Sequence, residues 1–171
     1  ADVESAFPGE NILLRQYVSD ECDYDTIIEE YESRDKENPF FIFNVTMQNH
    51  GGYTKDYSNF NEDVYVTSSD ISYKKTNQYL SLVKKSDEAF KNLINYFKTV
   101  DEPTVICMFG DHQPSIENEF IESLMGKKID NLNYEELQKR YITQFYIWAN
   151  FDIEEQEIDM LSSNYLATYA M

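Results

Sequence analysis

The two histidines of this chain are the residues whose type and position best suit chemistry. His50 follows the apolar run 40–45, and His112 follows the apolar run 104–109. Imidazole ligates metals and transfers protons near neutral pH. In open α/β sheets, the loops at the carboxyl ends of strands are where ligands bind. The position of each histidine after a strand-like run therefore predicts a functional role for both.

Asp111 and His112 form the clearest candidate metal-binding pair. A carboxylate oxygen and an imidazole nitrogen on one turn can both ligate a single divalent cation. Gly110 is expected to allow a sharp turn before the pair, and Pro114 is expected to stiffen the chain after it. The residues alone fit a second interpretation equally well, in which Asp111 caps the following turn and His112 is merely exposed.

His50 has three chemical options: it can act as a general acid, donate a hydrogen bond to a phosphate or sulfate oxygen, or ligate a metal. Gly51 and Gly52 follow it, and glycines allow a ligand to approach the backbone N–H groups closely. A loop histidine without a function remains the alternative. The sequence contains no Gly-x-Ser-x-Gly elbow, P-loop or Cys-His arrangement that would identify a nucleophile.

Composition restricts the classes of partner. With 171 residues the chain has the size of one ordinary domain, and its formal net charge is −18. Nucleic acid and anionic lipid surfaces are excluded as partners because both require clustered Lys and Arg. Cys22 and Cys107 suggest neither a disulfide framework nor a zinc site, although a single bridge between them stays open. No apolar stretch is long enough to span a bilayer, so the chain as given is predicted to be soluble.

Periodicity predicts an α/β fold. Apolar residues at three- and four-residue steps predict a long helix over 71–99, and continuous apolar runs predict buried strands over 40–45 and 104–109. Strand, helix and strand in this order predict a right-handed crossover between parallel strands. The remaining predicted elements are helices at 24–33, 116–125, 134–140 and from 164 onward, and a third strand at 143–149.

Two motifs resemble the alkaline phosphatase-like sulfatase superfamily, and are most similar to its lipoteichoic acid synthase, or phosphoglycerol transferase, branch. The run 43–54, Phe-Asn-Val-Thr-Met-Gln-Asn-His-Gly-Gly-Tyr-Thr, resembles the strand-plus-histidine motif of that branch. The run 108–114, Met-Phe-Gly-Asp-His-Gln-Pro, resembles its Gly-Asp-His metal motif. Weaker matches at 79–87 and 144–152 extend the resemblance over most of 15–170.

The resemblance implies a partial alkaline phosphatase-like sandwich with mostly parallel strands. It also implies a metal-activated Thr or Ser nucleophile that attacks an anionic phosphate or sulfate ester and passes the group to a hydroxyl acceptor or to water. Carried over by position, Asp111 and His112 are metal ligands for Mn²⁺, Mg²⁺ or Zn²⁺, and His50 is a catalytic residue that contacts the transferred phosphoryl group.

The resemblance further implies that residues 1–171 are a single fragment of the catalytic domain. In the family, the nucleophile and an acidic metal ligand lie in an amino-terminal half, and no residue here matches either. We therefore expect an inactive chain that holds its metal weakly. The parent enzyme is expected outside the cytoplasm, held to the membrane only by helices that this chain lacks. Exposed sheet edges predict self-association.

Two other functions remain open. The first keeps the fold but makes the parent enzyme a sulfatase or phosphodiesterase that hydrolyses its ester. The second is a non-enzymatic, acidic α/β interaction module in which Asp111 and His112 are structural.

Overall fold

The structure, a computed structural model, describes residues 12–67 and 71–170. The chain divides into two compact units. The first unit comprises Ala1–Ile94 and Pro114–Asn133, and the second comprises Asn95–Gln113 and Tyr134–Met171. His50 therefore belongs to the first unit, whereas Asp111 and His112 belong to the second.

The first described elements of the first unit form a short hairpin. Strands β1 (Leu13–Leu14) and β2 (Tyr17–Val18) pair antiparallel. Arg15 lies in the turn between them with a φ of 58°, in the left-handed region that residues with a side chain rarely adopt. A non-glycine residue stays in that region only when surrounding contacts hold it there, and the contacts of the Arg15 side chain are described below.

Helix α1 spans Asp20–Ser33, so the helix predicted over 24–33 is confirmed but begins earlier. Its N-cap is Ser19, whose side chain accepts a hydrogen bond from the backbone N–H of Cys22 at 3.2 Å. Acidic residues in the first turn add to this start because they complement the positive end of the helix dipole. Three buried apolar side chains lie at helical spacing on its inner face: Tyr24, Ile27 and Tyr31.

The buried strand predicted over 40–45 is wrong. Residues 39–47 have no regular secondary structure, and Phe41, Phe43 and Val45 are 87%, 69% and 66% exposed. An apolar run becomes a strand only when a neighbouring strand satisfies its backbone groups. Among the described residues no strand pairs with this segment, and the predicted parallel crossover from it is therefore also wrong.

The long helix predicted over 71–99 is confirmed as α2, which spans Lys74–Phe97. Its buried apolar face includes Leu82, which is completely inaccessible to solvent and packs in a core cluster with Tyr53 and Phe60. The loop that follows His50 is therefore attached to the first unit by aromatic side chains buried against α2.

Strands β3 (Val105–Phe109) and β4 (Phe145–Ala149) form a two-stranded sheet in the second unit. Both strands were predicted, over 104–109 and 143–149, but their predicted parallel direction is wrong. They pair antiparallel, with Val105 opposite Ala149 and Phe109 opposite Phe145. The long connection between the two runs allows either direction, and apolar composition does not encode which one forms.

The shorter helices were placed correctly. In the first unit α3 spans Asn118–Met125 and ends at Gly126, which adopts a φ of 66°. In the second unit α4 spans Tyr134–Gln138 and continues into a 3₁₀ turn, and α5 spans Ser163–Ala170. Both cysteines are free, so the bridge that the sequence left open is not formed.

Candidate functional site

His50 lies in an exposed turn of the first unit. Its backbone N–H donates to the carbonyl oxygen of Met47 at 3.0 Å, which closes the turn. Gly52 follows with a φ of 96°, a conformation that favours glycine. A Cβ atom built on Gly51 or Gly52 would meet no atom within 4 Å. The space around the two glycines is therefore open and His50 itself is exposed, as close approach of a ligand requires.

The side chain of Arg15 fixes the backbone of this turn. Its Nη2 donates hydrogen bonds of 2.8 Å to the carbonyl oxygens of both Gln48 and His50. Only 4% of Arg15 is exposed, and this burial lowers the pKa of its guanidinium. Within the described part of the chain, its Nε and Nη1 have no hydrogen-bond partner. Aromatic rings stabilise the buried charge instead, with ring centroids 5.4–5.9 Å from Cζ, and they belong to Tyr17, Tyr53 and Tyr57.

Tyr17 fixes the orientation of the His50 ring. The phenolic oxygen lies 3.0 Å from His50 Nδ1, and the two rings meet edge to face with centroids 5.5 Å apart. Because Nδ1 is engaged by Tyr17, Nε2 is the nitrogen left to contact a ligand. The hairpin β1–β2 thus supplies both residues that position His50: Arg15 through the backbone and Tyr17 through the ring.

A buried polar network anchors the residues just before His50. Gln48, 1% exposed, accepts a 3.0 Å hydrogen bond from the backbone N–H of Asp20 and donates a 2.9 Å bond to Ser86 Oγ. Asn49 donates to the same oxygen at 2.8 Å, and Ser86 donates in turn to Asp20 Oδ2 at 2.5 Å. Burial raises the pKa of Asp20 to about 6, although the Ser86 hydrogen bond opposes that rise. The network ties the turn to both α1 and α2.

Asp111 and His112 lie on an exposed turn after β3, with side chains 84% and 67% exposed. Asp111 Oδ1 accepts a 2.8 Å hydrogen bond from the backbone N–H of His112, the next residue in the chain. The same carboxylate presents Oδ2 3.6 Å from His112 Nε2. The two side chains therefore face each other, and the contact with the His112 N–H leaves the second carboxylate oxygen available.

The backbone determines which nitrogen of His112 can ligate a metal. Nδ1 lies 2.9 Å from the carbonyl oxygen of Gln113. A carbonyl oxygen can only accept, so Nδ1 carries the proton in the neutral ring and Nε2 presents a lone pair. Metal-bound histidines are commonly oriented in this way, by a hydrogen bond from the other ring nitrogen.

Contacts across β3 and β4 hold this turn in place. Thr143 Oγ1 donates a 2.7 Å hydrogen bond to the carbonyl oxygen of Gly110, and the Gln113 side chain donates to the carbonyl of Ile142. The chain bends at Asp111 and His112, as the sharp turn expected after Gly110 requires, although Gly110 itself does not have a positive φ. Its role is steric, because a Cβ atom there would come within 3.2 Å of Thr143 Cβ.

The donor pair fits a divalent cation but does not complete its coordination shell. Two ligands at about 2.0–2.1 Å from a tetrahedral ion lie about 3.4 Å apart, close to the observed separation of Asp111 Oδ2 and His112 Nε2. Across residues 12–67 and 71–170, no group of three or more His, Cys, Asp or Glu side chains is arranged to hold a metal. A carboxylate and an imidazole nitrogen suit Mn²⁺ or Zn²⁺, and the carboxylate alone suits Mg²⁺.

The sequence predicted His50, Asp111 and His112 as candidate site residues, and these stay predictions; it did not predict the residues that position His50. Arg15 and Tyr17 are 35 and 33 residues from His50 in sequence, and no local pattern links them to it. The available signal was an arginine directly after the apolar residues 12–14 and two positions before a tyrosine.

Residues 3–171 match the family model described as Sulfatase, and the chain therefore belongs to the sulfatase family. A Rhizobium meliloti protein with the provisional name cyclic beta-1,2-glucan modification protein is 27% identical over 77% of this chain and 21% of its own length. An uncharacterized Haemophilus influenzae protein is 28% identical over 72% of the chain and 22% of its own length. The chain thus spans about a fifth of these curated relatives.

A solved structure shares the fold. Streptococcus pyogenes phosphoglycerol transferase GacH, in complex with sn-glycerol-1-phosphate, superposes with a TM-score of 0.60 at 21% identity. The superposition covers 86% of this chain and 35% of GacH. None of the helices among the described residues is long and apolar enough to cross a membrane.

Proposed function

We propose that this chain is part of an extracytoplasmic, metal-dependent phosphoglycerol transferase of the sulfatase family, acting on phosphate esters of a lipid or glycan. The observation that carries the proposal is the Asp111–His112 pair, whose Oδ2 and Nε2 atoms lie 3.6 Å apart on an exposed turn. The Nδ1 contact with the Gln113 carbonyl directs the Nε2 lone pair away from the backbone. This arrangement suits metal ligation better than capping alone, which requires only one carboxylate oxygen.

Asp111 and His112 are assigned as two ligands of the cation. When bound, a divalent cation supplies Lewis acidity to a phosphoryl oxygen and to the attacking hydroxyl. Its charge also offsets the repulsion that a chain of net charge −18 exerts on an anionic substrate. With only two protein ligands from this chain, the remaining coordination positions are left to water, substrate or residues outside it.

His50 is assigned to the phosphoryl group of the substrate. Tyr17 engages its Nδ1, and the glycines after it leave open space beside the ring. Protonated Nε2 donates a hydrogen bond to a phosphoryl oxygen, and such a bond to a charged acceptor is among the stronger ones. No residue of this chain is assigned as the nucleophile, so we expect it to hydrolyse no ester by itself.

Calorimetric titration with MnCl₂ tests the metal assignment. His112→Ala is expected to weaken Mn²⁺ binding about tenfold or more, as loss of one ligand among two would require. His50→Ala is the matched control, a histidine change that leaves Mn²⁺ affinity unchanged. Equal Mn²⁺ affinity in the wild type and in His112→Ala would overturn the assignment.

A second titration tests the role of His50. In saturating Mn²⁺, glycerol phosphate is expected to bind the wild type more tightly than His50→Ala. The alternative function is a sulfatase that hydrolyses its ester, in line with the family description. Inorganic sulfate, added as a competitor of glycerol phosphate, distinguishes this sulfatase from the transferase. Preference for sulfate over glycerol phosphate would support the sulfatase.

Ester hydrolysis by this chain that His112→Ala abolishes would contradict the expectation of an inactive chain.

A further inference from the structure

We propose that a polar groove beside α2 in the first unit is a binding subsite for a neutral sugar residue. The groove has a volume of about 470 Å³, within the usual range of small-molecule sites. It rests on no residue assigned to the metal or to the phosphoryl group. The proposal rests on the proposed function and adds that the substrate is a glycan. Sugar binding can be measured without turnover.

The lining combines hydrogen-bonding groups with aromatic surface. Tyr57, Phe60 and Tyr65 contribute rings, and Asn61, Asn77 and Gln78 contribute amides. Tyr65 is 58% exposed although its hydroxyl donates to the carbonyl of Glu62 at 2.7 Å, so its ring is held in place while facing solvent. A sugar presents both hydroxyl groups and apolar C–H faces, and this lining offers a partner for each.

The charges of the groove exclude an anion as its ligand. Among the described residues, Lys74 is the only cation that lines it, and its ammonium group already pairs with Asp56 at 2.8 Å. Glu62 adds an acceptor with a negative charge. A phosphate or sulfate group would meet no uncompensated positive charge here, whereas hydroxyl groups can donate to the carboxylates.

Gln78 supplies an acceptor that the protein itself does not use. The residue is 1% exposed, and its Nε2 donates to the carbonyl of Lys55 at 3.0 Å and to Glu62 Oε1 at 3.4 Å. Both partners only accept, which fixes the amide orientation. Oε1 is buried and has no hydrogen-bond partner among the described residues. An unpaired buried acceptor is costly, and a ligand hydroxyl group removes that cost.

The shape of the groove is fixed by the protein, because side chains of α2 hydrogen-bond to the backbone of segment 61–66, which forms the side of the groove opposite the helix. Ser81 Oγ accepts from the N–H groups of Asp63 and Val64 at 3.1 and 3.0 Å. Asn77 Oδ1 accepts from the N–H of Val66 at 2.9 Å. Segment 61–66 therefore lies along the helix in a fixed position before any ligand binds, which lowers the entropic cost of binding.

The groove adjoins the cluster that positions His50. Tyr57 lines it, and the same ring lies 5.9 Å from the Arg15 guanidinium, which holds the His50 carbonyl oxygen. A glycan bound in the groove is therefore anchored next to the residue assigned to the phosphoryl group. Such an anchor would hold one sugar while a neighbouring part of the substrate reacts.

NMR titration of the chain with neutral trisaccharides of glucose and of N-acetylglucosamine tests the proposal. Saturable shifts are expected for residues 56–66 and 72–78, with at least one of the two sugars. Gln78→Leu is expected to raise the Kd about tenfold, and Tyr65→Ala about fivefold, because each removes one type of contact. Tyr65 is exposed, so its variant tests the site even if Gln78→Leu does not fold.

Two control variants keep this result separate from the proposed function. Tyr134→Ala removes another exposed tyrosine, and His112→Ala removes a metal ligand; both are expected to bind the trisaccharides like the wild type. The sugar subsite is overturned by the absence of saturable binding, by shifts outside the groove, or by an unchanged Kd in Tyr65→Ala. Sugar binding by a wild-type chain that binds no Mn²⁺ would refute the proposed function and leave the subsite standing.

Discussion

Arg15 Nη2 lies 2.8 Å from the carbonyl oxygen of His50, a residue 35 positions later in the chain. The same nitrogen also donates to the Gln48 carbonyl oxygen at 2.8 Å. A single buried guanidinium thus fixes the backbone on both sides of Asn49. It also explains how Arg15 keeps a φ of 58°, since its side-chain contacts offset a backbone cost of about 1–2 kcal/mol.

The first prediction concerns the stability that Arg15 provides. Arg15→Met is expected to lower the free energy of unfolding by roughly 2–4 kcal/mol, because two carbonyl oxygens lose their donor. Arg15→Lys is expected to recover part of the loss, since an ammonium group donates but lacks the planar fork. Urea denaturation measures both changes. Arg140→Met is the matched control, and a loss as large as that of Arg15→Met would contradict the prediction.

The sequence predicted local features better than the long-range contacts around them. Gly126 ends α3 through local backbone geometry, so the end of α3 was predicted correctly, whereas the Ser19 cap was not recognised and α1 begins at Asp20 instead of residue 24. The direction of β3 against β4 depends on the path of the chain between them, which apolar composition does not encode. The run 40–45 looks like a buried strand, but its structure depends on a partner strand that composition cannot supply.

In the candidate site, too, local features could be predicted from the sequence and long-range contacts could not. His50, Asp111 and His112 could be proposed as site residues because their residue types suit chemistry wherever they occur. Their positioning partners were not identified, since an arginine or a tyrosine near the amino terminus has no sequence feature that points to His50. The groove lined by Gln78 was also missed, because its unpaired acceptor is evident only after the partners of Nε2 are known.

The second prediction concerns Asp20 and pH. Burial raises its pKa to about 6, so the folded protein binds this proton more tightly than the unfolded chain does. The stabilising contribution is complete below pH ~4, where an unfolded Asp titrates, and is lost as pH rises through about 6. In urea denaturation, the stability of the wild type relative to Asp20→Asn is expected to fall by on the order of 2–3 kcal/mol across that window.

The variant Ser86→Ala provides a second test of the pH dependence attributed to Asp20. The Ser86 hydrogen bond opposes the rise in the Asp20 pKa, so its removal is expected to move the pH window upward. Asn92→Ala, an exposed change on the same helix, should leave the window in place. A stability difference between the wild type and Asp20→Asn that stays constant from pH 4 to pH 7 would refute the assignment of the proton to Asp20.

The third prediction concerns a cap that connects two helices of the first unit. Glu117 precedes α3, yet its carboxylate accepts hydrogen bonds at the start of α2: from the N–H of Lys75 at 2.7 Å and of Thr76 at 2.9 Å. Glu117→Gln is expected to cost about 1–2 kcal/mol, because a neutral amide accepts less strongly and loses the favourable interaction with the helix dipole. Chemical denaturation at neutral pH measures this loss.

The pH dependence gives a second measurement of the same cap. Burial acts to raise the pKa of Glu117, but hydrogen bonds from Thr76 and Lys75 outweigh it, and the pKa is lowered. The stabilisation is therefore present above the pKa of an unfolded Glu and is lost as pH falls below it. Glu119→Gln, an exposed change in the first turn of α3 that does not contact the start of α2, is the control. Equal destabilisation by the two variants would contradict the capping role of Glu117.

The last prediction concerns the proton on His112. Because Nδ1 faces the Gln113 carbonyl oxygen at 2.9 Å, the neutral ring is expected to carry its proton on Nδ1. Long-range ¹H–¹⁵N correlation spectra of the neutral form report which nitrogen is protonated. On addition of Zn²⁺, a diamagnetic ion, the Nε2 signal is expected to shift more than the Nδ1 signal, since Nε2 holds the lone pair. His50 serves as the internal reference in the same spectrum, and a neutral His112 ring protonated on Nε2 would contradict both the hydrogen bond and the proposed ligating atom.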